Sequence, residues 1–225
     1  MTDVTIAITT GVGADNSINR LAATNNQGIV ATTSSWPGTR GYHFRFDLSG
    51  IAAGNVCTAA TLKLYHQTTT GINNTHSIFK ISDANGNWIE GDKNNTQAGA
   101  GQPCWNAKEA DGSGGVTTAW AGSAGMQTAG TDYINTVLAA ASVGGSITVN
   151  TALDFAFNAD GLAVLSSWFG QATNNGLLLI TTTFTSIGGF HSKEATTAGY
   201  RPTLDITYVA GGVPKHFMYY QRMRG

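Results

Sequence analysis

The side chains that most often perform enzymatic chemistry are few in this sequence and widely separated. Its five histidines, which lack the short spacing typical of a zinc site, are His43, His66, His76, His191 and His216. The chain has no Gly-x-Ser-x-Gly elbow, no Walker-type phosphate loop and no His-Glu-x-x-His motif. We therefore predict that the protein is not an enzyme and that it binds no metal and no cofactor.

A pair of facing carboxylates could still hydrolyse a glycosidic bond, and sequence does not reveal which carboxylates face one another. The candidates lie in the loop-rich middle of the chain: Glu90, Asp92, Glu109 and Asp111. Only 13 of the 225 residues are acidic. A lyase or hydrolase is therefore the third and weakest interpretation.

Residues 83–87, Asp-Ala-Asn-Gly-Asn, resemble the start of a calcium loop. Such a loop needs a bidentate glutamate at its twelfth position, and that position is Asn94. Asn-Gly between apolar runs is also a strong hairpin signal. We predict a hairpin turn here rather than a calcium site.

Four tryptophans lie in or beside loops rich in glycine and asparagine: Trp36, Trp88, Trp105 and Trp120. A sugar ring has an apolar face that can stack on an exposed aromatic ring, and its hydroxylated rim suits neighbouring amide groups. The pattern predicts a carbohydrate-binding surface. The alternative is that these rings plug the ends of a sandwich.

The elements that must position these side chains are mostly short strands. Tyr42, Phe44, Phe46 and Leu48 alternate with polar residues, as in a strand with one buried face. Similar patterns predict strands over 4–8, 20–24, 62–65, 78–81, 154–157, 177–180, 190–192 and 204–208. Short strands between Gly, Asn and Ser clusters predict an all-β fold, a single jelly-roll β-sandwich over residues 1–209.

Two segments interrupt the strand pattern. Apolar residues at helical spacing over 162–169 predict a short helix, with Asp160 as its N-cap and Gly170 or residues 174–176 at its end. Residues 134–141 are compatible with a second helical turn. Between residues 90 and 132 the pattern indicates long loops, which in compact domains are usually functional or held by a neighbour.

Composition excludes several classes of protein. Charged residues make up 11% of the chain, under half of the usual ~25%. The net charge of -1 gives no basic field for nucleic acid, and no apolar run is long enough to cross a membrane. We expect no secretory signal, synthesis in a host cytoplasm, and reduced thiols at Cys57 and Cys104, with a bridge between them as the alternative.

Residues 210–225 differ from the rest of the chain. They contain three basic residues, no acidic residue and a block of aromatic side chains. Arginine and aromatic residues are enriched at protein interfaces. We predict that this segment is a docking tail, with contacts through Phe217, Tyr219, Tyr220, Arg222 and Arg224. The alternative is a terminal peptide that lies on the domain's own surface.

Several segments together resemble the DNRLRE-type domains, which are also classed with one family of carbohydrate-binding modules. The similar segments are 44–51, 59–65, 88–91, 105–106, 168, 175–179, 191–195 and 201–208. The resemblance implies a β-sandwich jelly roll and an accessory role on polysaccharide-active or cell-surface proteins. No ligand-binding residue of that family can be transferred to a particular position here.

Two functional hypotheses follow from these patterns. The first is a non-enzymatic viral structural protein, a capsid decoration or cement protein on the virion surface of a bacteriophage. It would bind a major capsid or other virion protein, as a homo-oligomer that could be a trimer. The alternative is a carbohydrate-binding module or adhesin that recognises a polysaccharide through its loop tryptophans.

Overall fold

The computed structural model describes residues 4–8, 12–34, 38–68, 73–171, 174–183 and 189–211. The strands in chain order are β1 Val4–Ile8, β2 Val12–Asn19, β3 Asn25–Asn26, β4 Thr32–Ser34, β5 Arg40–Phe46, β6 Val56–Tyr65, β7 Asn74–Lys80, β8 Thr96–Gln97, β9 Glu109–Ala110, β10 Val116–Thr118, β11 Ala139–Val143, β12 Ala152–Ala156, β13 Leu177–Thr183, β14 Gly189–His191 and β15 Thr203–Val209. One α-helix, α1, spans Ala159–Ser167, and short 3-10 turns occur at Arg20–Ala22, Asp83–Asn85 and Ala198–Tyr200.

Two antiparallel sheets form the body of the protein. The four-stranded sheet has the order β1-β15-β6-β12, and the five-stranded sheet has the order β11-β7-β13-β5-β2. Alternate residues of both sheets meet in one core, for example Leu62 and Ile206 from the first and Phe44 and Leu179 from the second. The all-β sandwich predicted from the sequence is confirmed, whereas the jelly-roll order of its connections stays a prediction.

The long segment between residues 81 and 133 packs against the outer face of the five-stranded sheet. Successive side chains of a strand point to opposite faces of the sheet, so some side chains of β5 and β13 point away from the main core. Leu178 is one of these. A second apolar cluster forms there, to which the long segment contributes Trp88, Trp105, Trp120 and Met126. The segment therefore acts as a third layer on this sheet.

Helix α1 confirms the predicted helix, but its N-cap lies two residues earlier than predicted. The side chain of Asn158, rather than Asp160, accepts a hydrogen bond from the backbone N–H of Gly161 at 3.0 Å. Gly170 follows the helix with φ +72°, a conformation that glycine adopts without strain. Leu165, Trp168 and Phe169 belong to the main core.

Three local predictions were wrong. The strand predicted over 20–24 is the 3-10 turn Arg20–Ala22, because the Asn19 side chain accepts the backbone N–H of Leu21 and turns the chain. The helical turn predicted over 134–141 is replaced by strand β11, which pairs with β7. The hairpin predicted at 83–87 is the 3-10 turn Asp83–Asn85, since the next strand, β8, pairs with β3.

Both cysteines are buried free thiols, Cys57 in the main core and Cys104 in a separate small cluster. Burial raises the pKa of Cys57 to about 11. Within the described ranges no helix has the length and apolar character needed to cross a bilayer. The same residues hold no group of three or more histidine, cysteine or acidic side chains arranged to bind a metal ion.

Candidate functional site

Three of the four tryptophans predicted to form a sugar platform lie in the interior. Trp88, Trp105 and Trp120 are only 0%, 6% and 4% exposed. The indole N–H of Trp88 donates to the carbonyl of Asn175, and that of Trp120 donates to the carbonyl of Cys104, both at 2.9 Å. Buried rings offer no face to a sugar, so the prediction was wrong for these three residues. They fix the third layer to the sheet instead.

The other residues predicted to contact a ligand or partner fall outside the part of the chain that the structure describes. Trp36 lies outside the described residues. So do all the predicted tail contacts, Phe217, Tyr219, Tyr220, Arg222 and Arg224. Strand β15 ends at Val209, and the predicted boundary before the tail stays a prediction.

The four carboxylates considered for hydrolysis each bind their own partners. Glu90 pairs with Lys193, and Asp92 with Lys93 and Gln102. Glu109 accepts the hydroxyl of Thr118, and Asp111 accepts the backbone N–H groups of two residues that follow it. These contacts hold turns and loops together.

One concave surface of the described part of the chain is formed by polar, mostly uncharged side chains. One cleft of about 290 Å³ is lined by Ser17, Asn19, Gln27, Arg40, Asn95 and Thr68 among others. A second cleft of about 280 Å³ is lined by Asn150, His191, Thr196, Thr197 and Tyr200 among others. Thr32 and Gln67 line both clefts, which therefore adjoin. We call the two together the amide groove.

The first cleft is held in shape by asparagine and glutamine side chains. The side-chain amide of Gln27 donates to the side-chain oxygen of Asn95 at 2.8 Å. The Asn26 side chain donates to the carbonyl of Glu90 and accepts the backbone N–H of Lys93. The third layer is thereby tied to β3 and to Gln27 just after it, and this is what brings Asn95 to the groove.

The second cleft ends at a pair of stacked rings. The centroids of His191 and Tyr200 are 5.5 Å apart and their planes differ by 24°. His191 Nε2 lies 2.9 Å from Asn150 Oδ1, which fixes the imidazole. Tyr200 is half-buried, so part of this residue remains open to solvent. An aromatic surface beside amide and hydroxyl groups was predicted at the loop tryptophans, and the structure has this combination here instead.

The amide groove carries little charge, and that charge is positive. Arg40 is the single formally charged residue that lines the two clefts, and no carboxylate lines either. Burial lowers the pKa of His191 below its ordinary value, so this imidazole is neutral at physiological pH. The groove can therefore form hydrogen bonds with a hydroxylated ligand, and it does not repel an anionic one.

A buried polar network supports the groove from one side. Asp15 accepts hydrogen bonds from the hydroxyl of Tyr42 at 2.8 Å and from the backbone N–H of Lys193 at 2.7 Å. Lys193 also forms an ion pair with Glu90, with Nζ 3.1 Å from Oε2. Burial raises the pKa of Asp15 to about 7, against the effect of these hydrogen bonds.

The residues of the amide groove are not among the site residues predicted from the sequence. They come from positions between 17 and 200, and they share no spacing. The available signal was the concentration of amides at 25–27 and 94–97, which the structure brings together. The two amide-rich stretches are far apart in the chain, and only the pairing of β3 with β8 shows that they lie together.

The sequence matches no family model, and no curated protein is significantly similar to it.

Proposed function

We propose that this protein is a non-enzymatic β-sandwich that binds polysaccharide through the amide groove. The observation that carries the proposal is the lining of two adjoining clefts by amide and hydroxyl side chains, with the Tyr200 ring at one end. Amides both donate and accept hydrogen bonds, as sugar hydroxyls do. An aromatic ring offers apolar area to the C–H face of a sugar.

The size of the groove supports a polymer rather than a single small molecule. Each cleft by itself, at about 290 and 280 Å³, is slightly smaller than the usual range for ligand pockets, which is roughly 300–1,000 Å³. Placed side by side, they provide an elongated surface that could hold consecutive sugar units. Chain-like ligands gain affinity from several weak contacts in series.

Affinity electrophoresis of the purified protein through gels containing a panel of neutral and acidic polysaccharides would test this proposal. We expect retardation by at least one polysaccharide, and competition by soluble oligosaccharide from the same polymer. A Tyr200→Ala variant should be retarded much less than the wild type. Migration unaffected by every polysaccharide, together with an empty glycan array, would refute the proposal.

A second proposed function is attachment to a viral particle as a capsid decoration protein, and it is compatible with the first. It is supported by the basic, aromatic composition of residues 210–225. Two exposed apolar side chains also lie where the chain continues into this segment. Val4 is 41% and Val56 50% exposed, and they lie on the strands that pair with the end of β15.

Deletion of residues 212–225 would test the attachment proposal separately. We expect the truncated chain to keep its thermal unfolding midpoint and its polysaccharide binding, and to be absent from purified particles. A full-length variant with Arg222 and Arg224 both changed to Gln tests the charge contribution. Normal occupancy of the truncated chain on particles would refute attachment through the tail.

A further inference from the structure

Asp15 is a buried carboxylate that connects three parts of the fold. Its side chain is 1% exposed, and its Oδ2 accepts both the Tyr42 hydroxyl and the backbone N–H of Lys193. Its own backbone N–H donates to Glu90 Oε1 at 3.0 Å. A single buried oxygen therefore joins β2, β5 and the segment that follows β14.

The segment that Asp15 holds carries one wall of the amide groove. The backbone N–H of Ser192 donates to the carbonyl of Ala31 at 3.1 Å, and its hydroxyl donates to the carbonyl of Val30 at 2.6 Å. Val30 and Ala31 line the groove, as do His191 and Ala195 on the segment itself. The hydrogen bond that Lys193 donates to Asp15 therefore adds to the Ser192 contacts and the β14–β4 pairing that position this wall.

Two kinds of group act on the Asp15 carboxyl. Burial and the negative charge of Glu90 raise its pKa, whereas the Lys193 cation and the hydrogen bonds from Lys193 and Tyr42 lower it. Glu194 acts through Lys193, since both Glu90 and Glu194 pair with the Lys193 ammonium group. Burial dominates, and the resulting pKa of about 7 lets both protonation states occur near neutral pH.

We infer that Asp15 is a proton-sensitive anchor of the groove wall, so that polysaccharide binding weakens when this carboxyl is protonated. Hydrogen bonds to an ionised acceptor are roughly twice as strong as those to a neutral one. When Asp15 is protonated, the backbone N–H of Lys193 donates to a neutral acceptor, and this hydrogen bond becomes weaker. The segment 191–195 is then held less firmly. This inference rests on the proposed function of the groove, whereas the anchoring itself does not.

The binding test measures the dissociation constant for a retarded polysaccharide from pH 5.5 to 8.5, in the wild type and in Asp15→Asn. We expect about a fivefold loss of affinity in the wild type as pH falls through 7, and a constant, weaker affinity over that step in Asp15→Asn. Asp154→Asn, a change at an exposed carboxylate of β12, is the matched control and should follow the wild type. His191 titrates at lower pH and contributes equally to all three proteins.

A second variant keeps the inference testable if Asp15→Asn folds poorly. Tyr42→Phe retains the buried ring and removes one hydrogen bond that lowers the pKa of Asp15. The midpoint of the binding curve should therefore move to higher pH. An unchanged midpoint, or a wild-type affinity that is constant over the whole range, would overturn the inference.

Hydrogen exchange separates this inference from the proposed function because it needs no ligand. After correction for the intrinsic rate, the Lys193 amide should be better protected at pH 8.5 than at pH 6 in the wild type. In Asp15→Asn its protection should not change. Equal protection of the Lys193 amide at both pH values in the wild type would overturn the anchor, even if the protein binds polysaccharide. If protection changes with pH but no polysaccharide binds, only the proposed function is refuted.

Discussion

The Tyr200 ring lies nearly parallel to the His191 imidazole, with centroids 5.5 Å apart and planes 24° apart. Tyr65 also lies near this tyrosine, with ring centroids 6.0 Å apart and planes 52° apart. Tyr200 comes from a 3-10 turn, and the other two come from strands β14 and β6. The ring is thus held in place by its neighbours before any ligand arrives, which lowers the entropic cost of stacking a sugar on it.

Tyr200→Ala should reduce polysaccharide affinity about tenfold, because it removes the stacking surface and leaves the hydrogen-bonding groups. Tyr200→Phe keeps the ring and should bind within about twofold of the wild type. Isothermal titration with a soluble oligosaccharide measures both. Equal affinity of Tyr200→Ala and wild type would exclude this ring from the binding site.

The buried imidazole of His43 should make the protein sensitive to acid. His43 is fully buried between Trp88 and Trp120, with ring centroids 4.4 and 5.9 Å away, and neither of its nitrogens has a hydrogen-bond partner. Burial lowers its pKa to about 3. Below pH 6.5 the unfolded chain takes up a proton at this site and the folded one does not, so stability falls as pH falls.

Denaturant unfolding at pH 7.5 and pH 5 tests this expectation in the wild type and in His43→Leu. The variant should lose about 2 kcal/mol less stability between the two pH values than the wild type. Asp15 acts in the opposite direction, since its raised pKa stabilises the protonated folded state, and it is present in both proteins. An identical pH dependence in both would show that His43 does not limit acid stability.

Asp132 organises the loop over residues 121–133. Its buried carboxylate accepts the backbone N–H groups of Gly122, Ser123 and Thr128 at 2.8 to 3.0 Å, and the Asn85 side chain at 2.9 Å. Asp132→Ala leaves these donors without an acceptor and should cost about 3 kcal/mol of unfolding free energy. Asp111→Ala removes similar backbone contacts at an exposed turn and should cost much less. Equal losses of unfolding free energy in the two variants would contradict the conclusion that burial makes the Asp132 contacts more stabilising.

The strand positions could be predicted from sequence because alternation along a strand is a local property. Residues 204–208 alternate between a buried and a more accessible face, and strand β15 lies there. In β5, Tyr42, Phe44 and Phe46 belong to the main core, but His43 between them is buried as well, because it packs against Trp88 and Trp120 of the third layer. Residues 20–24 misled the prediction, because an asparagine cap at Asn19 determines the local backbone more strongly than the pattern that follows.

The site could not be predicted in the same way. Glycine and asparagine around the tryptophans indicated exposed loops, yet each indole contributes enough apolar area to fold its loop onto the sheet. The amide groove depends on contacts between residues far apart in the chain, such as Asn26 with Glu90. Such contacts leave no spacing signal in one sequence.

The most direct test of the central claim is the polysaccharide affinity of Gln67→Ala, because Gln67 lines both clefts of the amide groove. Gln171→Ala, at an exposed glutamine just after helix α1, is the matched control. Binding through the groove predicts that affinity falls about tenfold for Gln67→Ala and stays at the wild-type value for Gln171→Ala. Wild-type affinity in Gln67→Ala, with both variants folded, would contradict it.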